Sequence, residues 1–74
     1  MSEKSKRWKA MAAKCPIGTR FQFEHKKFKP GVIELVKIAD GNPVFSLVVN
    51  GKLDPHKFDG TSEKLSELTS LKKS

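Results

Sequence analysis

The amino-acid sequence predicts a small α+β domain with an N-terminal helix, a three- to four-stranded antiparallel meander curled into a small half-barrel, and a C-terminal helix. Apolar residues near the N-terminus recur at helical spacing, whereas residues 17–53 alternate between apolar and polar and are divided by tight turns. A leucine stripe then follows a capping sequence. A chain of 74 residues has room for one core. We therefore divide it into a basic N-terminal helix (residues 1–15) and a single domain (residues 16–74).

The first helix is predicted over residues 2–14. Ser2 or Ser5 can cap it, and Pro16 ends it because the residue before a proline is disfavoured in the helical region. Its apolar stripe consists of Trp8, Met11, Ala12 and Cys15. A helix of this length is marginal alone, so it either docks through Trp8 or frays.

The predicted strands rest on alternation and on turn residues. Phe21 and Phe23 share one face of the first strand, and turns are expected at residues 29–31 and 40–43. In residues 32–39, polar side chains three apart indicate a bulge or burial on both faces. Asn50-Gly51 is the strongest hairpin signal, since both residues tolerate the positive φ of a type I′ turn. The return strand is expected to be cut short at Asp54-Pro55, and residues 56–58 can resume it.

The last helix is predicted to begin after Thr61 or Ser62, either of which can act as the N-cap. Leu65, Leu68 and Leu71 form its narrow apolar stripe, and the basic residues 72–73 complement the negative end of the helix dipole.

Several classes of function are disfavoured. His25, His56 and Cys15 are spread along the chain without catalytic or metal-ligand spacing, and no glycine-rich phosphate loop is present. We therefore expect no enzyme activity, no cofactor and no metal. There is no apolar run of signal-peptide or membrane-spanning length, and a single cysteine fits a reducing compartment. The sequence thus predicts a cytoplasmic protein with no membrane association.

The net charge of +7 lies entirely in residues 1–29, which hold nine basic and two acidic residues, whereas residues 30–74 hold six of each. Such a concentration favours the neutralisation of nucleic-acid phosphates. The predicted contacts, which would form one patch, are Lys6, Arg7, Lys9, Arg20, Lys26, Lys27 and Lys29. Only two of the 15 cations are arginine, and lysine contacts phosphate as a point charge. We predict a nucleic-acid-binding protein, for DNA rather than RNA, with little sequence readout.

Other interpretations of the same residues stay open. The basic surface can simply be a solubilising face. Phe21, Phe23 and Phe28 can stack on single-stranded bases or form core, and Trp8 can seal the core or anchor a partner. The alternative function is a non-enzymatic adaptor or inhibitor, whose size fits a phage or other mobile element, that binds an acidic protein through the Trp8 helix. A monomer or a weak homo-oligomer is expected in either case.

Three short motifs suggest a family. Gly18-Thr19-x-Phe21 opens a strand, Asp40-Gly41 lies between strands, and residues 58–65 (Phe-Asp-Gly-Thr-Ser-Glu-Lys-Leu) run from an aromatic residue through small hydroxyl residues into a helix. In these motifs the chain resembles the RAMA domain family, small domains associated with restriction and adenine-methylase systems. The Ser-Leu-Ser type motif and the later tryptophan of that family are absent, so no functional residue is carried over. The resemblance implies work linked to DNA.

Overall fold

A computed structural model describes residues 3–74, except for the side chains of Lys4 and Ser62. The elements in chain order are α1 (Glu3–Ala13), β1 (Arg20–His25), β2 (Gly31–Ala39), β3 (Asn42–Val49), β4 (Lys52–Asp59), α2 (Ser62–Leu65) and β5 (Leu68–Lys73). The strands form one antiparallel sheet in the order β4-β3-β2-β1-β5. Strands β1–β4 are the predicted meander. The sheet has five strands rather than the expected three or four, because β5 pairs beside β1.

The predicted N-terminal helix is confirmed, and it docks on the sheet rather than fraying. Ala12 is fully buried, and the rest of the predicted stripe packs half-buried against the core. The backbone N–H groups of Lys14 and Cys15 donate to carbonyls three residues earlier, which tightens the last turn ahead of Pro16. Ser5 is buried inside the helix and is not its cap; the other predicted cap, Ser2, lies outside the described residues.

Two hairpins have the same two-residue turn. Asn50 and Gly51 have φ values of 52° and 78°, and Asp40 and Gly41 have 51° and 78°. Positive φ at both central residues is the type I′ pattern, whose twist matches that of paired strands. The prediction for Asn50-Gly51 is therefore confirmed, and the turn expected over residues 40–43 is confined to its first two residues.

The sheet has two irregularities, of which the bulge in β2 was predicted. At Asp54-Pro55 the return strand was expected to be cut short, but β4 continues through to Asp59. The register of β2 against β3 shifts between Leu35 and Lys37, which confirms the bulge. The register of β3 against β4 shifts opposite residues 54–56, where Asp54 Oδ1 accepts a hydrogen bond from the backbone N–H of His56 at 2.9 Å. Because β4 is an edge strand, it tolerates Pro55, which has no N–H to donate.

The predicted C-terminal helix is wrong beyond its first turn. Helix α2 has four residues, with the Thr61 hydroxyl accepting from the Lys64 N–H at 3.5 Å. The chain then continues as β5, in which Leu71 pairs with Phe23 and Leu68 with His25. A register shift between these pairs inserts one extra residue in β5, so leucines three apart lie on one face, as they would in a helix.

The sheet has a helix-bearing face and an open face. The core lies on the helix-bearing face, between the sheet and the two helices, and its buried members are Ala12, Phe21, Ile33, Leu35, Phe45, Leu65, Leu68 and Leu71. The rings of Phe21 and Phe45 meet edge to face, with centroids 5.8 Å apart. The other face, which we call the open face because neither helix lies on it, carries the alternate residues of the strands. They include a polar row of Arg20, Glu34, Ser46 and Lys57, in which Ser46 is fully buried.

Candidate nucleic-acid interface

The basic loop (residues 26–30) joins β1 to β2 and carries Lys26, Lys27 and Lys29. All three side chains are exposed. Within the described part of the chain, none of them has a carboxylate oxygen within 4 Å. Their ammonium groups are therefore available to an external anion.

The backbone of the basic loop is held at both of its first two residues. The Lys27 N–H donates to His25 Nδ1 at 3.0 Å, and the Lys26 N–H donates to the Glu67 carbonyl oxygen at 3.4 Å. His25 is itself fixed, with its side chain 5% exposed and its Nε2 3.4 Å from Glu67 Oε2. The two ring nitrogens of His25 therefore face different neighbours, Nδ1 the loop backbone and Nε2 the Glu67 carboxylate. A loop held in this way loses little conformational entropy when it binds a ligand.

Phe28 projects from the centre of the basic loop and is 68% exposed. Its ring centroid lies 4.7 Å from that of His25, at an interplanar angle of 44°. The buried imidazole thus supports one side of the Phe28 ring, while most of the ring remains open to solvent.

Arg20 is separated from the basic loop, contrary to the expectation of one patch. It lies on the open face at the start of β1, about 20 Å along the strand from Lys26. Its Nε is 3.0 Å from Glu34 Oε1, and Nη2 donates to the Gly51 carbonyl oxygen at 3.4 Å. Arg20 therefore links β1 to β2 and to the β3–β4 turn.

The cations of α1 belong to the helix layer. Lys6 and Arg7 are exposed, and Lys9 is half-buried and engaged in an interaction within the protein. Helix α1 packs chiefly against α2 and β3, on the side of the sheet opposite Arg20. The seven predicted cations consequently fall into three groups, and only those of the basic loop adjoin an exposed aromatic ring.

The aromatic residues also separate by position. Phe21 is fully buried, Phe23 is half-buried, and Phe28 is exposed. Trp8 packs half-buried against the core, which favours its interpretation as a core seal over that as a partner anchor. Of the three phenylalanines considered for stacking on bases, only Phe28 is exposed, and Phe23 is half-buried.

Sequence reasoning missed the residues that support and flank the basic loop. Glu67 holds the loop through its backbone and its side chain, and Lys64 lies nearby on α2. Their proximity depends on the pairing of β5 with β1. No local pattern in residues 64–67 gives that signal, since the same residues fit the helix that was predicted there.

Across residues 3–74, no helix is long and apolar enough to cross a membrane. Among the same residues, no three His, Cys, Asp or Glu side chains are grouped so as to hold a metal ion. The chain matches no protein-family model, and it has no significant match among curated proteins or solved structures. The resemblance to the RAMA family stays a prediction.

Proposed function

We propose that the protein is a non-enzymatic nucleic-acid-binding protein, acting on DNA mainly through its phosphates and with little sequence readout. The observation that carries the proposal is the basic loop, with three exposed lysines that lack carboxylate partners and a backbone fixed by His25 and Glu67. Phosphate neutralisation by lysine supplies most of the free energy of non-specific binding. The single cysteine favours the reducing cytoplasm as its compartment.

Lysine rather than arginine in the loop favours phosphate over base contacts. An ammonium group is a compact point charge, whereas reading a guanine edge requires the planar fork of arginine. Of the two arginines in the chain, Arg20 is occupied by Glu34 and the Gly51 carbonyl. Sequence readout by arginine at the basic loop therefore has no support.

The alternative partner, an acidic protein bound through α1, has weaker support. That interpretation needs Trp8 as an exposed anchor, yet Trp8 packs against the core. An acidic polypeptide nevertheless serves as a control, because it offers carboxylates in place of phosphates.

The proposal is tested by fluorescence anisotropy with labelled DNA between about 50 and 200 mM salt. Three phosphate contacts from the basic loop predict that log K falls with log [salt] at a slope of about −3 for duplex and about −2 for single strands. Absence of binding to either DNA at about 50 mM salt would overturn the proposal. Equal competition by polyglutamate at matched charge would also overturn it, in favour of an acidic protein partner.

A further inference from the structure

A cleft of about 820 Å³ opens beside the basic loop on the helix-bearing face of the sheet. Its lining is mostly apolar and includes Phe23, Phe28, Leu47, Phe58 and Leu68, with His25 below the loop. Binding sites for small organic groups usually have volumes of about 300–1,000 Å³ and apolar or aromatic walls with a few polar groups. The cleft has the size and lining of such a site.

The cleft exists because the helices cover only part of their face of the sheet. Phe21, Leu35 and Phe45 are fully buried under the helix layer, whereas Phe23, Leu47 and Phe58 remain half-buried. At Gly31 the sheet lacks a side chain, and a Cβ there would lie 3.1 Å from the Phe23 ring. The apolar floor is therefore left uncovered at the end of the sheet that carries the basic loop.

The ammonium groups near the cleft indicate the charge of its occupant. Lys29 and Lys64 line the rim, are exposed, and have no carboxylate oxygen within 4 Å among the residues described. Lys57 is also among the lining residues, but its ammonium group is turned to the open face, where Nζ donates to Ser46 Oγ at 3.1 Å. Two acidic residues, Asp59 and Glu67, also line the cleft, and Glu67 Oε2 lies 3.4 Å from His25 Nε2. An apolar group attached to an anion complements this arrangement, and a second copy of a chain of net charge +7 does not.

We infer that the cleft receives an unpaired base of a nucleic-acid strand whose phosphates lie on the basic loop. This inference rests on the proposed function and deepens it, because it makes the preferred ligand single-stranded. The exposed ring of Phe28, supported from behind by His25, is the surface on which the base stacks. In a duplex the bases are stacked and paired inside the helix, so they reach such a cleft only if they are flipped out.

The test compares Phe28→Ala with the native protein on three single strands of about 15 nucleotides: oligo-dT, oligo-U and an abasic strand with the same phosphates. Loss of one stacked base predicts that the variant binds oligo-dT and oligo-U about 5- to 100-fold more weakly. Binding of the abasic strand stays within about two-fold, since its phosphates still contact the lysines. Comparison of oligo-dT with oligo-U identifies which sugar the site accepts.

Ile38→Ala is the matched control, because Ile38 is an exposed apolar residue at the other end of β2, and it leaves all three affinities unchanged. Equal affinities of Phe28→Ala and the native protein for oligo-dT and oligo-U would overturn the inference. In that case the proposed function would still stand if changing the loop lysines to Glu lowered the affinity for the same strands. Failure of the native protein to bind any strand at low salt would overturn both.

Discussion

The carboxylate of Asp54 stabilises the break in β4 that accommodates Pro55. Asp54 Oδ1 accepts from the His56 N–H at 2.9 Å and lies 2.6 Å from His56 Nδ1. The backbone hydrogen bond from His56, followed by the side-chain hydrogen bond, lowers the pKa of Asp54 below its ordinary value of 3.8. A carboxyl group whose pKa is lower in the folded state stabilises the fold above its unfolded pKa, and this stabilisation is lost as the pH falls through the folded pKa.

Asp54→Asn should therefore reduce the free energy of unfolding at neutral pH, and the difference from the native protein should shrink below about pH 4. Urea unfolding at a series of pH values measures it. Asp59→Asn is the control, because Asp59 is in the same strand and its side chain forms no hydrogen bond or ion pair with the described residues. A difference for Asp54→Asn that stays constant down to about pH 2 would contradict this account.

Gly60 follows β4 and packs closely against Pro43 near the start of β3. Its N–H donates to the Pro43 carbonyl oxygen at 2.8 Å, and a Cβ at this position would lie 2.1 Å from that oxygen. At Gly31 a Cβ would meet only the end of the Phe23 ring, at 3.1 Å. The first clash requires the backbone to move, and the second requires only a side chain to shift.

Gly60→Ala should consequently lower the free energy of unfolding by about 1–3 kcal/mol or more, and by more than Gly31→Ala does. Neither glycine has a positive φ, so the comparison isolates packing from backbone strain. Thermal unfolding of the two variants measures the difference. Equal melting temperatures would mean that the chain at Gly60 relaxes freely.

At the scale of elements, the C-terminal segment marks the boundary between what local sequence predicts and what it does not. The type I′ turn at Asn50-Gly51 was predictable because two adjacent residues determine its backbone. The bulge in β2 was likewise visible in the spacing of its own polar residues. The spacing of Leu68 and Leu71 fits a helix and a bulged strand equally well, and the unpaired edge of β1 makes the strand the more favourable choice.

Leu71 therefore contributes to the core as a residue of β5. It is 2% exposed, whereas Leu53, on the other edge strand, is 47% exposed. Leu71→Ala should reduce the free energy of unfolding by about 2–5 kcal/mol, and Leu53→Ala by no more than about 0.5 kcal/mol. Chemical denaturation of the two variants provides the measurement. Similar losses for both would mean that β5 does not close the core.

At the scale of the whole molecule, the fold distributes the predicted cations over three places: α1, the start of β1 and the basic loop. The exposure of the loop lysines was predictable from sequence, although the turn predicted at residues 29–31 instead spans residues 26–30, and Gly31 already begins β2. The pairing of Arg20 with Glu34 was not predictable, because it depends on the register of β1 against β2. The contact of Glu67 with the basic loop was not predictable either, because it depends on the pairing of β5 with β1. Sequence thus identified the charge. Tertiary structure shows that Arg20 is paired, whereas the loop lysines, like exposed Lys6 and Arg7, have no carboxylate oxygen within 4 Å among the described residues.

The location of binding is tested by reversing charge at the basic loop and, separately, away from it. Lys26, Lys27 and Lys29 are changed to Glu in one variant. Exposed Lys14, Lys37 and Lys73, which lie outside the loop, are changed to Glu in the control. Each variant replaces three positive charges with three negative charges, so the net charge falls by six, from +7 to +1, in both. Any effect of overall charge is therefore the same in the two proteins.

The most direct measurement is the DNA affinity of these two variants and the native protein at several salt concentrations, with thermal unfolding of each. The account predicts that the loop variant loses nearly all binding and most of its salt dependence. The control variant retains most of its DNA affinity and of its salt dependence, and the melting temperatures of both variants stay close to the native value. Equal losses of affinity in the two variants, or unfolding of the loop variant alone, would contradict a binding site at the basic loop.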